Sequence, residues 1–335
     1  MKKSLDIILL VDEATIPPDD PHMLESPDTP TTEFHVADTL RDLGHRVRVL
    51  GAGGNVAAMA EGLTREPPNL VFNLTEHIEG NRLMDKNIAA LLEMTGIPFT
   101  GAGPLGLLLC RDKRLCKQLL RAHRIRVPGF ASFPVGKRFR PPGGLVYPLV
   151  VKPAYEDGSE GISNASLVAN PRALAERVQW VHESFAQPVI AEEYVEGREL
   201  YVAVLGNTRL HVLPARECLF GSDDKGPTMA TFRVKHNEKY RRKWSIQFGF
   251  AEDLDEATLH RIQRVCKRAY RAMQLRDYGR IDLRLAPDGR LVVLEVNPNP
   301  DIAYGEEVAE AAEKGGIGYE ELLRRIVRMA LKRYP

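Results

Sequence analysis

The chain has 335 residues, with 46 lysines and arginines against 45 aspartates and glutamates and a formal net charge of +1. This length is sufficient for two or three domains with full cores. The balanced charge gives no electrostatic footprint for nucleic acid or an anionic membrane, and no stretch approaches the roughly 20 apolar residues of a membrane-spanning helix.

The amino terminus has two lysines before an apolar run, as a secretory signal does. The run is interrupted by Asp6 and ends at Asp12, and no small-residue cleavage site follows it. We therefore interpret residues 5–11 as a buried first strand. The four cysteines have no CxxC spacing, which disfavours a disulfide framework or a zinc site and fits a cytoplasmic protein.

The first third of the chain alternates apolar runs with amphipathic stretches. These patterns predict strands at residues 5–11, 45–50, 70–73 and 97–100, and helices at residues 32–43, 56–63 and 87–94. Alternating strands and helices indicate a parallel sheet with helices on its faces. No GxGxxG motif follows the first strand, so dinucleotide binding is not supported.

The middle of the chain carries features of a phosphate site. A helix predicted at residues 112–123 carries Lys113 and Lys117, and a strand predicted at residues 147–153 carries Lys152. The loop at residues 156–161 is rich in glycine and serine, which lets backbone N–H groups approach phosphate oxygens. Such a loop is often only a turn, and a lysine is often only a solvated cation. The lysine on the strand just before the loop favours the phosphate interpretation.

The later segments are predicted as two strands within residues 188–205 and amphipathic helices at residues 256–273 and 319–333. Residues 221–244 are charged and poor in core residues, and we predict a loop there. Cations crowd its second half, among them Lys235, Lys239, Arg241, Arg242 and Lys243. The prediction is a lid whose cations cover a triphosphate and which excludes water on closure.

The most specific pattern lies near the C-terminal end. Alternation at residues 280–285, a Pro-Asp-Gly turn and the run Leu-Val-Val-Leu predict a β-hairpin. The period of two puts Arg280 and Asp282 on one face of the first strand, and Glu295 and Asn297 on one face of the second. Carboxylates and an amide are oxygen ligands that suit Mg²⁺, and an arginine beside them can stabilise an oxyanion. A solvated hairpin is the alternative, but a carboxylate within an apolar run is costly unless it is paired or metal-bound.

This hairpin resembles the metal-binding end of ATP-grasp ligases, and most closely that of the D-alanine–D-alanine ligase family, in which an Arg-x-Asp strand precedes a Glu-x-Asn strand. The resemblance implies that Asp282, Glu295 and Asn297 hold two Mg²⁺ ions against ATP. It implies that Arg280 is catalytic and stabilises a tetrahedral intermediate. The segments Asn-Leu-Val-Phe-Asn-Leu-Thr-Glu, Leu-Leu-Glu-Met-Thr-Gly-Ile-Pro-Phe-Thr-Gly and Arg-Asp-Lys follow the family's order.

The likeness extends over nearly the whole chain and implies an α/β ATP-grasp fold. We expect an N-terminal α/β domain at residues 1–103, a central subdomain with the phosphate loop at residues 104–190, and a C-terminal subdomain at residues 191–335 with the metal and oxyanion site. The two subdomains are expected to clamp the nucleotide.

The resemblance also implies a set of nucleotide-binding residues: Lys113, Lys152, Ser159, Gly161, Glu192, Glu193, Tyr194, Val195, Glu199 and Lys239. Glu192 is expected to face the adenine amino group and Val195 to lie next to the ring. Glu199 is expected to hold the ribose hydroxyls. Lys239, in a Lys-Tyr pair like that of the family's lid, is the expected γ-phosphate contact and a second catalytic residue. Glu193 stands where the family usually has lysine, which matters little if backbone groups read the base.

The substrate pockets depart from the family pattern. Glu13 and Glu76 lie in segments that normally carry Gly-Gly and His-Gly, so the identity of the acid is open. Asp301 stands at a glycine position, and Glu306 falls near the serine that binds the carboxylate of the attacking D-alanine. An acidic pair would repel such a carboxylate, unless the two side chains point away or pair with arginines.

The implied function is an ATP-dependent ligase that joins a small carboxylate to a small amine through an acylphosphate. The acceptor is expected to be a cationic or carboxylate-free amine. The alternatives are a genuine D-alanine–D-alanine ligase and a catalytically silent ATP-binding switch. We expect no nucleic-acid or membrane partner, and family habit suggests a homodimer formed through the N-terminal domain.

Overall fold

The computed structural model describes residues 4–221, 226 and 228–334. Residues 222–225 and 227, which belong to the predicted lid, lie outside the described residues. The strands are β1 (Asp6–Asp12), β2 (Arg46–Ala52), β3 (Leu70–Asn73), β4 (Phe130–Phe133), β5 (Leu149–Pro153), β6 (Leu167–Val168), β7 (Val189–Glu193), β8 (Arg198–Leu205), β9 (His211–Val212), β10 (Arg216–Leu219), β11 (Gln247–Phe250), β12 (Tyr278–Leu285) and β13 (Leu291–Pro298). The helices are α1 (Thr32–Asp42), α2 (Val56–Thr64), α3 (Asp85–Thr95), α4 (Pro104–Arg111), α5 (Lys113–Ala122), α6 (Pro171–Phe185), α7 (Phe232–His236), α8 (Glu238–Lys243), α9 (Glu256–Ala272), α10 (Glu307–Lys314) and α11 (Tyr319–Leu331).

The first sheet is parallel, with strand order β2-β1-β3, as the alternating pattern predicts. Its central strand β1 is buried over nearly its whole length, because its apolar residues face helices on both sides of the sheet. The strand predicted at residues 97–100 was wrong: Phe99 makes only an isolated parallel bridge with Val71. Pro98, which has no N–H, limits further pairing.

The second sheet is antiparallel, with strand order β4-β7-β5-β6, and α6 packs against it. The strand that carries Lys152 is confirmed as β5, and the strands predicted within residues 188–205 are confirmed as β7 and β8. β7 belongs to this sheet and crosses the expected boundary at residue 190, while β8 belongs to the next one.

The third sheet has the order β11-β10-β8-β12-β13, with β9 paired to β8. The predicted hairpin is confirmed as β12 and β13, which pair antiparallel with Arg280 opposite Asn297 and Asp282 opposite Glu295. The register shifts just after Asp282. Helix α9, predicted from its apolar spacing, packs on β8, β12 and β13.

The prediction of a loop through residues 221–244 was wrong for its second half, which forms α7 and α8. N-terminal capping explains why the two helices begin where they do. The side chains of Thr231 and Asn237 each accept a hydrogen bond from a backbone N–H of the helix that follows. Val234 is fully buried in a small cluster with Tyr201. Val234 stands among charged residues, so the sequence pattern does not reveal that it is buried.

Helices α4, α6 and α10 were not predicted from the sequence. Each is short or carries charged residues within its apolar face, which weakens the helical period. Within the described part of the chain, we find no helix with the length and apolar character needed to cross a membrane.

Candidate active site

Two adjoining cavities lie between the sheets. The larger has a volume of about 690 Å³, and five predicted site residues line it: Glu76, Arg280, Asn297, Asp301 and Glu306. The smaller has a volume of about 70 Å³, and nine predicted site residues line it: Lys152, Ser159, Glu192, Glu193, Tyr194, Val195, Glu199, Asp282 and Glu295. Lys235 lines both, so a ligand that spans the two cavities passes this lysine.

Arg280 joins the metal-site candidates to the wall of the large cavity. Its Nε lies 2.7 Å from Oδ1 of Asp282, and its Nη1 lies 2.6 Å from Oε2 of Glu307. Burial raises the pKa of Asp282, against the opposing effect of Arg280. Burial alone would raise the pKa of Glu307, but Arg280 and Lys235 overcome it and lower that pKa. Sequence reasoning missed Glu307, because its contact with Arg280 joins residues 27 positions apart.

Glu295 is held by a buried lysine. Oε1 of Glu295 lies 2.6 Å from Nζ of Lys113, which also donates to the carbonyl of Glu156. Burial would raise the pKa of Glu295, but Lys113 and Lys152 outweigh it and lower the pKa to about 2. The Nδ2 atom of Asn297 is buried and has no hydrogen-bond partner among the described residues.

These residues fit Mg²⁺ as ligands shared with a phosphate, since they supply oxygen donors on paired strands. The neighbouring lysines outweigh burial at Glu295 and lower its pKa, whereas Arg280 offsets burial only in part at Asp282, whose pKa stays raised. Within the described ranges, no group of three or more His, Cys, Asp and Glu side chains is arranged as a complete metal site. Asp282, Glu295 and Asn297 would therefore hold a metal ion only together with oxygens from a bound ligand.

The smaller cavity has a buried ion-pair triad at its base. Oε2 of Glu192 lies 3.1 Å from Nζ of Lys152, and Oε1 lies 3.0 Å from Nζ of Lys117. Burial would raise the pKa of Glu192, but the two lysines prevail and lower it. Lys117 also donates to the carbonyl of Leu294, 2.5 Å away. Its position four residues after Lys113 on α5 is the sequence signal that could have identified it.

The other predicted adenine and ribose residues have defined partners. The Glu193 carboxylate accepts the N–H groups of Gly129 and Val146, at 3.2 and 2.9 Å, so it supports the second sheet. Glu199 is paired with Arg284 at 2.6 Å and accepts the hydroxyl of Tyr201 at 2.9 Å. A ribose hydroxyl would have to compete with these partners for Glu199.

The glycine-rich loop touches the segment that leads into α7. Ser159 Oγ donates to the carbonyl of Ala230 at 3.0 Å, and Phe232 N–H donates to the carbonyl of Ile162 at 3.1 Å. Gly161 has φ of +71°, a conformation that glycine adopts without strain. These contacts close the small cavity from the side of the third sheet.

Of Lys235 and Lys239 in the predicted lid, the structure brings Lys235 to the site and leaves Lys239 outside. Lys239 is exposed on the first turn of α8 and lines neither cavity. Lys235 Nζ lies 5.3 Å from the centre of the Tyr201 ring, on the wall shared by both cavities. The sequence around Lys235 and Lys239 is basic throughout, so it does not show which lysine faces the site. Burial of Val234 turns its neighbour Lys235 inward.

The N-terminal domain contributes an acidic corner. The Asp12 carboxylate accepts the N–H groups of Glu76 and His77, each at 3.2 Å. Burial raises the pKa of Glu76, and Arg82, 3.5 Å away, opposes this rise. Glu13 does not share this corner: its carboxylate lies against Gly53 and lines neither cavity.

The predicted acceptor residues separate into two roles. Oδ1 of Asp301 accepts the Thr32 hydroxyl and the N–H of Ala303, both at 2.8 Å, so it fastens the C-terminal loop to the N-terminal domain. Glu306 lines the large cavity, and burial, with Asp301 and Glu307 nearby, raises its pKa. Arg216 lines the same wall but contacts Glu310.

The chain is similar to known proteins over most of its length. Residues 142–328 match the family described as D-ala D-ala ligase C-terminus. An uncharacterized protein of Sinorhizobium fredii is 32% identical over 317 residues, covering 92% of this chain and 91% of that protein. A D-alanine–D-alanine ligase of Bordetella petrii is 32% identical over 251 residues, covering 73% and 72%.

The crystal structure of D-alanine–D-alanine ligase from Bacillus anthracis complexed with ATP superposes with a TM-score of 0.74 at 19% identity, covering 98% of both chains. The three sheets and the cleft between them are those of an ATP-grasp ligase fold. With more than half of its length matched, the chain belongs to the D-alanine–D-alanine ligase family.

Proposed function

We propose that this protein is an ATP-dependent ligase that joins a small carboxylic acid to a small amine, with ADP and phosphate as the other products. The observation that carries the proposal is the register of β12 and β13, which sets Asp282 opposite Glu295 and Arg280 opposite Asn297 beside Lys113. A ligase of this family needs both phosphate-neutralising cations and an oxyanion donor, and this pairing supplies both in one cleft.

The proposed reaction has two steps. An oxygen of the acid attacks the γ-phosphorus of ATP, which gives an acylphosphate and releases ADP. The amine then attacks the acyl carbon, and the tetrahedral oxyanion collapses to an amide with loss of phosphate and a proton. No side-chain nucleophile is required, so the protein contributes mainly positioning and charge compensation.

The side chains divide this work. Lys113, Lys152 and Lys235 would exchange their present carboxylate or ring contacts for phosphate oxygens. Asp282 and Glu295, with Asn297, would hold Mg²⁺, which supplies charge neutralisation at the phosphates when bound. The Arg280 guanidinium, on the wall of the large cavity, would donate to the oxyanion.

The acceptor proposed here is a cationic or carboxylate-free amine. Glu306 supports this choice, because it lines the large cavity and has no ion-pair partner among the described residues. Asp301 contributes less, since its carboxylate is engaged by Thr32 and the N–H of Ala303. A carboxylate-bearing acceptor would meet the negative charge of Glu306, which Arg216 and His236 offset only in part.

Phosphate release, measured with ATP across a panel of amino acids and amines, tests both levels of the proposal, and mass spectrometry identifies the product. Turnover that favours cationic amines supports it. Preference for D-alanine as the acceptor would instead favour a D-alanine–D-alanine ligase, as several relatives are named. ATP binding without turnover of any acid–amine pair would favour an ATP-binding switch.

Variant Glu306→Ser separates the acceptor question from the ligase question. Serine restores the residue type that the family resemblance leads one to expect near this position. We expect the ratio of kcat/KM for a cationic amine to that for D-alanine to fall about ten-fold, the effect of one partly buried charge. An unchanged ratio would contradict the role of Glu306 while leaving the ligase activity standing.

We also propose a cytoplasmic location and a homodimer. All four cysteines are buried free thiols, which suits a reducing compartment. The dimer rests on family habit alone, and light scattering of the purified protein tests it directly.

A further inference from the structure

An open groove of about 670 Å³ lies away from the candidate active site, between α9, the end of α5 and the turn that joins β12 to β13. Helix α9 lines it with Arg261, Arg264 and Arg268, at spacings that place them on one face. All three side chains are exposed. One wall of the groove is therefore a row of guanidinium groups.

The opposite wall carries four more arginines and a single acid. Arg121, Arg124 and Arg126 come from the end of α5 and the segment after it, and Arg290 and Asp288 come from the β12–β13 turn. Arg290 is paired with the carboxylate of Asp288. The other six groove arginines have no carboxylate partner among the described residues. Seven arginines thus face one acid in the lining.

The remaining contacts of these arginines are to neutral groups. Arg261 donates to the carbonyl of Gly289 at 2.9 Å, and Arg268 donates to the carbonyl of His123 at 2.7 Å. Carbonyl partners orient the guanidinium groups but leave their positive charge uncompensated. Like charges on adjacent turns and facing walls repel one another, so an anion between them would be stabilising.

One wall of the groove is tied to the third sheet, and its floor is buried. The N–H of Val293 on β13 donates to the carbonyl of Arg126 at 2.9 Å, which fixes the segment that forms one wall. Ile125 and Leu291 are buried beneath it and form an apolar floor. Preformed walls reduce the entropy lost when a ligand is captured.

The groove is distinct from the nucleotide site. Helix α5 has Lys113 at its first turn and Arg121 at its last, about 12 Å apart along the axis at 1.5 Å per residue. The residues that line the groove do not line either active-site cavity.

We propose that this groove binds a small anion that carries several phosphate or carboxylate groups. Guanidinium forks match both groups through paired N–H donors. The volume lies within the range of small-molecule sites, about 300–1,000 Å³. A nucleic-acid strand fits less well, because the whole chain carries only +1 and the residues outside the groove are therefore on balance negative.

Calorimetric titration with tripolyphosphate, and separately with citrate, tests the proposal. The titration is run on the full-length protein in the presence of a saturating non-hydrolysable ATP analogue, so that the probe does not report on the nucleotide site. Saturable binding of either probe with one site per chain is expected, and the comparison of the two distinguishes phosphate from carboxylate chemistry.

Variant Arg126→Glu/Arg264→Glu should weaken that binding at least about ten-fold, since each arginine contributes a charge-assisted hydrogen bond. The matched control Arg209→Glu/Arg328→Glu changes the same charge at exposed arginines outside the groove, and we expect less than a two-fold effect. The milder Arg126→Gln/Arg264→Gln removes charge without reversing it and should also weaken binding.

Three results would overturn the proposal: no saturable binding of either probe, equal weakening in the groove variant and the control, or tighter binding of a single-stranded oligonucleotide than of both small anions. Melting temperatures of the variants, measured without probe, show that each is folded before titration. If the charge-reversed variant fails to fold, the glutamine variant gives the same comparison.

Discussion

At the scale of single residues, the candidate site is a set of cations that form ion pairs with buried acids. Arg280 holds Asp282 and Glu307, Lys113 holds Glu295, and Lys152 holds Glu192. A buried charge without a partner is costly, so these pairs reduce the cost of burying the charges that line the cleft. A bound polyphosphate and its counter-ions would replace these protein partners, so that no buried charge would be left without a partner.

Lys235 and Lys239 give the first prediction. Lys235→Ala should lower ATP-dependent turnover about 10²-fold, because a lysine on the wall shared by both cavities is suited to compensate the transferring phosphoryl group. Lys239→Ala should change turnover less than two-fold, because Lys239 is exposed and outside both cavities. Steady-state phosphate release compares the two; a larger loss in Lys239→Ala would restore the residue expected from the sequence.

Glu307 gives the second prediction, as a positioning residue that acts through Arg280. Glu307→Gln removes one charged partner of the guanidinium while Asp282 keeps the other. We expect kcat to fall about ten-fold with little change in the KM for ATP, since the guanidinium loses orientation rather than the nucleotide losing a contact. Glu313→Gln, an exposed acid on the same helix α10, is the control. A rise in KM without a fall in kcat would contradict this role.

At the scale of elements, the glycine-rich loop is shaped by the strand and helix behind it. A Cβ on Gly161 would lie 2.6 Å from Cγ of Pro153 and 2.9 Å from Cζ of Phe185, and φ there is +71°. The loop therefore packs closely against β5 and the end of α6. This packing fixes the position of the loop relative to Lys152 on β5.

Gly161→Ala tests that shape. It should lower the free energy of unfolding by more than about 2 kcal/mol, because strain adds to a clash, and it should raise the KM for ATP. Gly136→Ala is the matched control: its φ is +74° but open space surrounds it, so it should cost only about 1 kcal/mol. Denaturant unfolding and ATP kinetics check both, and equal effects would show that the contact with Pro153 and Phe185 is unimportant.

The elements also show what sequence could predict and why. The β12–β13 hairpin was predicted because its alternation, its turn and its chemical groups lie within about twenty consecutive residues. The prediction of a loop at residues 221–244 was wrong in its second half because α7 and α8 depend on the burial of Val234 against Tyr201, a contact that no local pattern reveals. Lys235 was overlooked as the inward lysine for the same reason.

At the scale of the molecule, contacts between distant segments complete the cleft. Ala102 N–H donates to Oδ1 of Asn299, and Thr32 donates to Asp301, so the N-terminal domain is fastened to the end of β13. Sequence gives no signal for such pairs. The sequence also gives no sign of the arginine groove. The net charge of the whole chain is close to zero, whereas the fold gathers seven arginines in one place.

Acid sensitivity follows from the charge pairs of the whole cleft. The folded state holds the pKa of Glu295 at about 2, below its ordinary 4.5, and it also lowers the pKa values of Glu192 and Glu307. A carboxylate with a lowered folded-state pKa stabilises the fold above its unfolded-state pKa. The contribution of Glu295 is therefore complete above about pH 4.5 and is lost as the pH falls from there towards about 2.

The last prediction is the pH profile of stability. The melting temperature of the wild type should fall steeply below about pH 4.5, and Glu295→Gln should melt lower at neutral pH, because Lys113 loses its charged partner, but should fall less steeply in acid. Glu61→Gln, which removes an acid exposed on α2 beside Arg65, should reproduce the wild-type profile. Calorimetry measures the melting temperature across this pH range. Parallel profiles for the wild type and Glu295→Gln would contradict the prediction, because they would mean that the Lys113–Glu295 pair does not cause the loss of stability in acid.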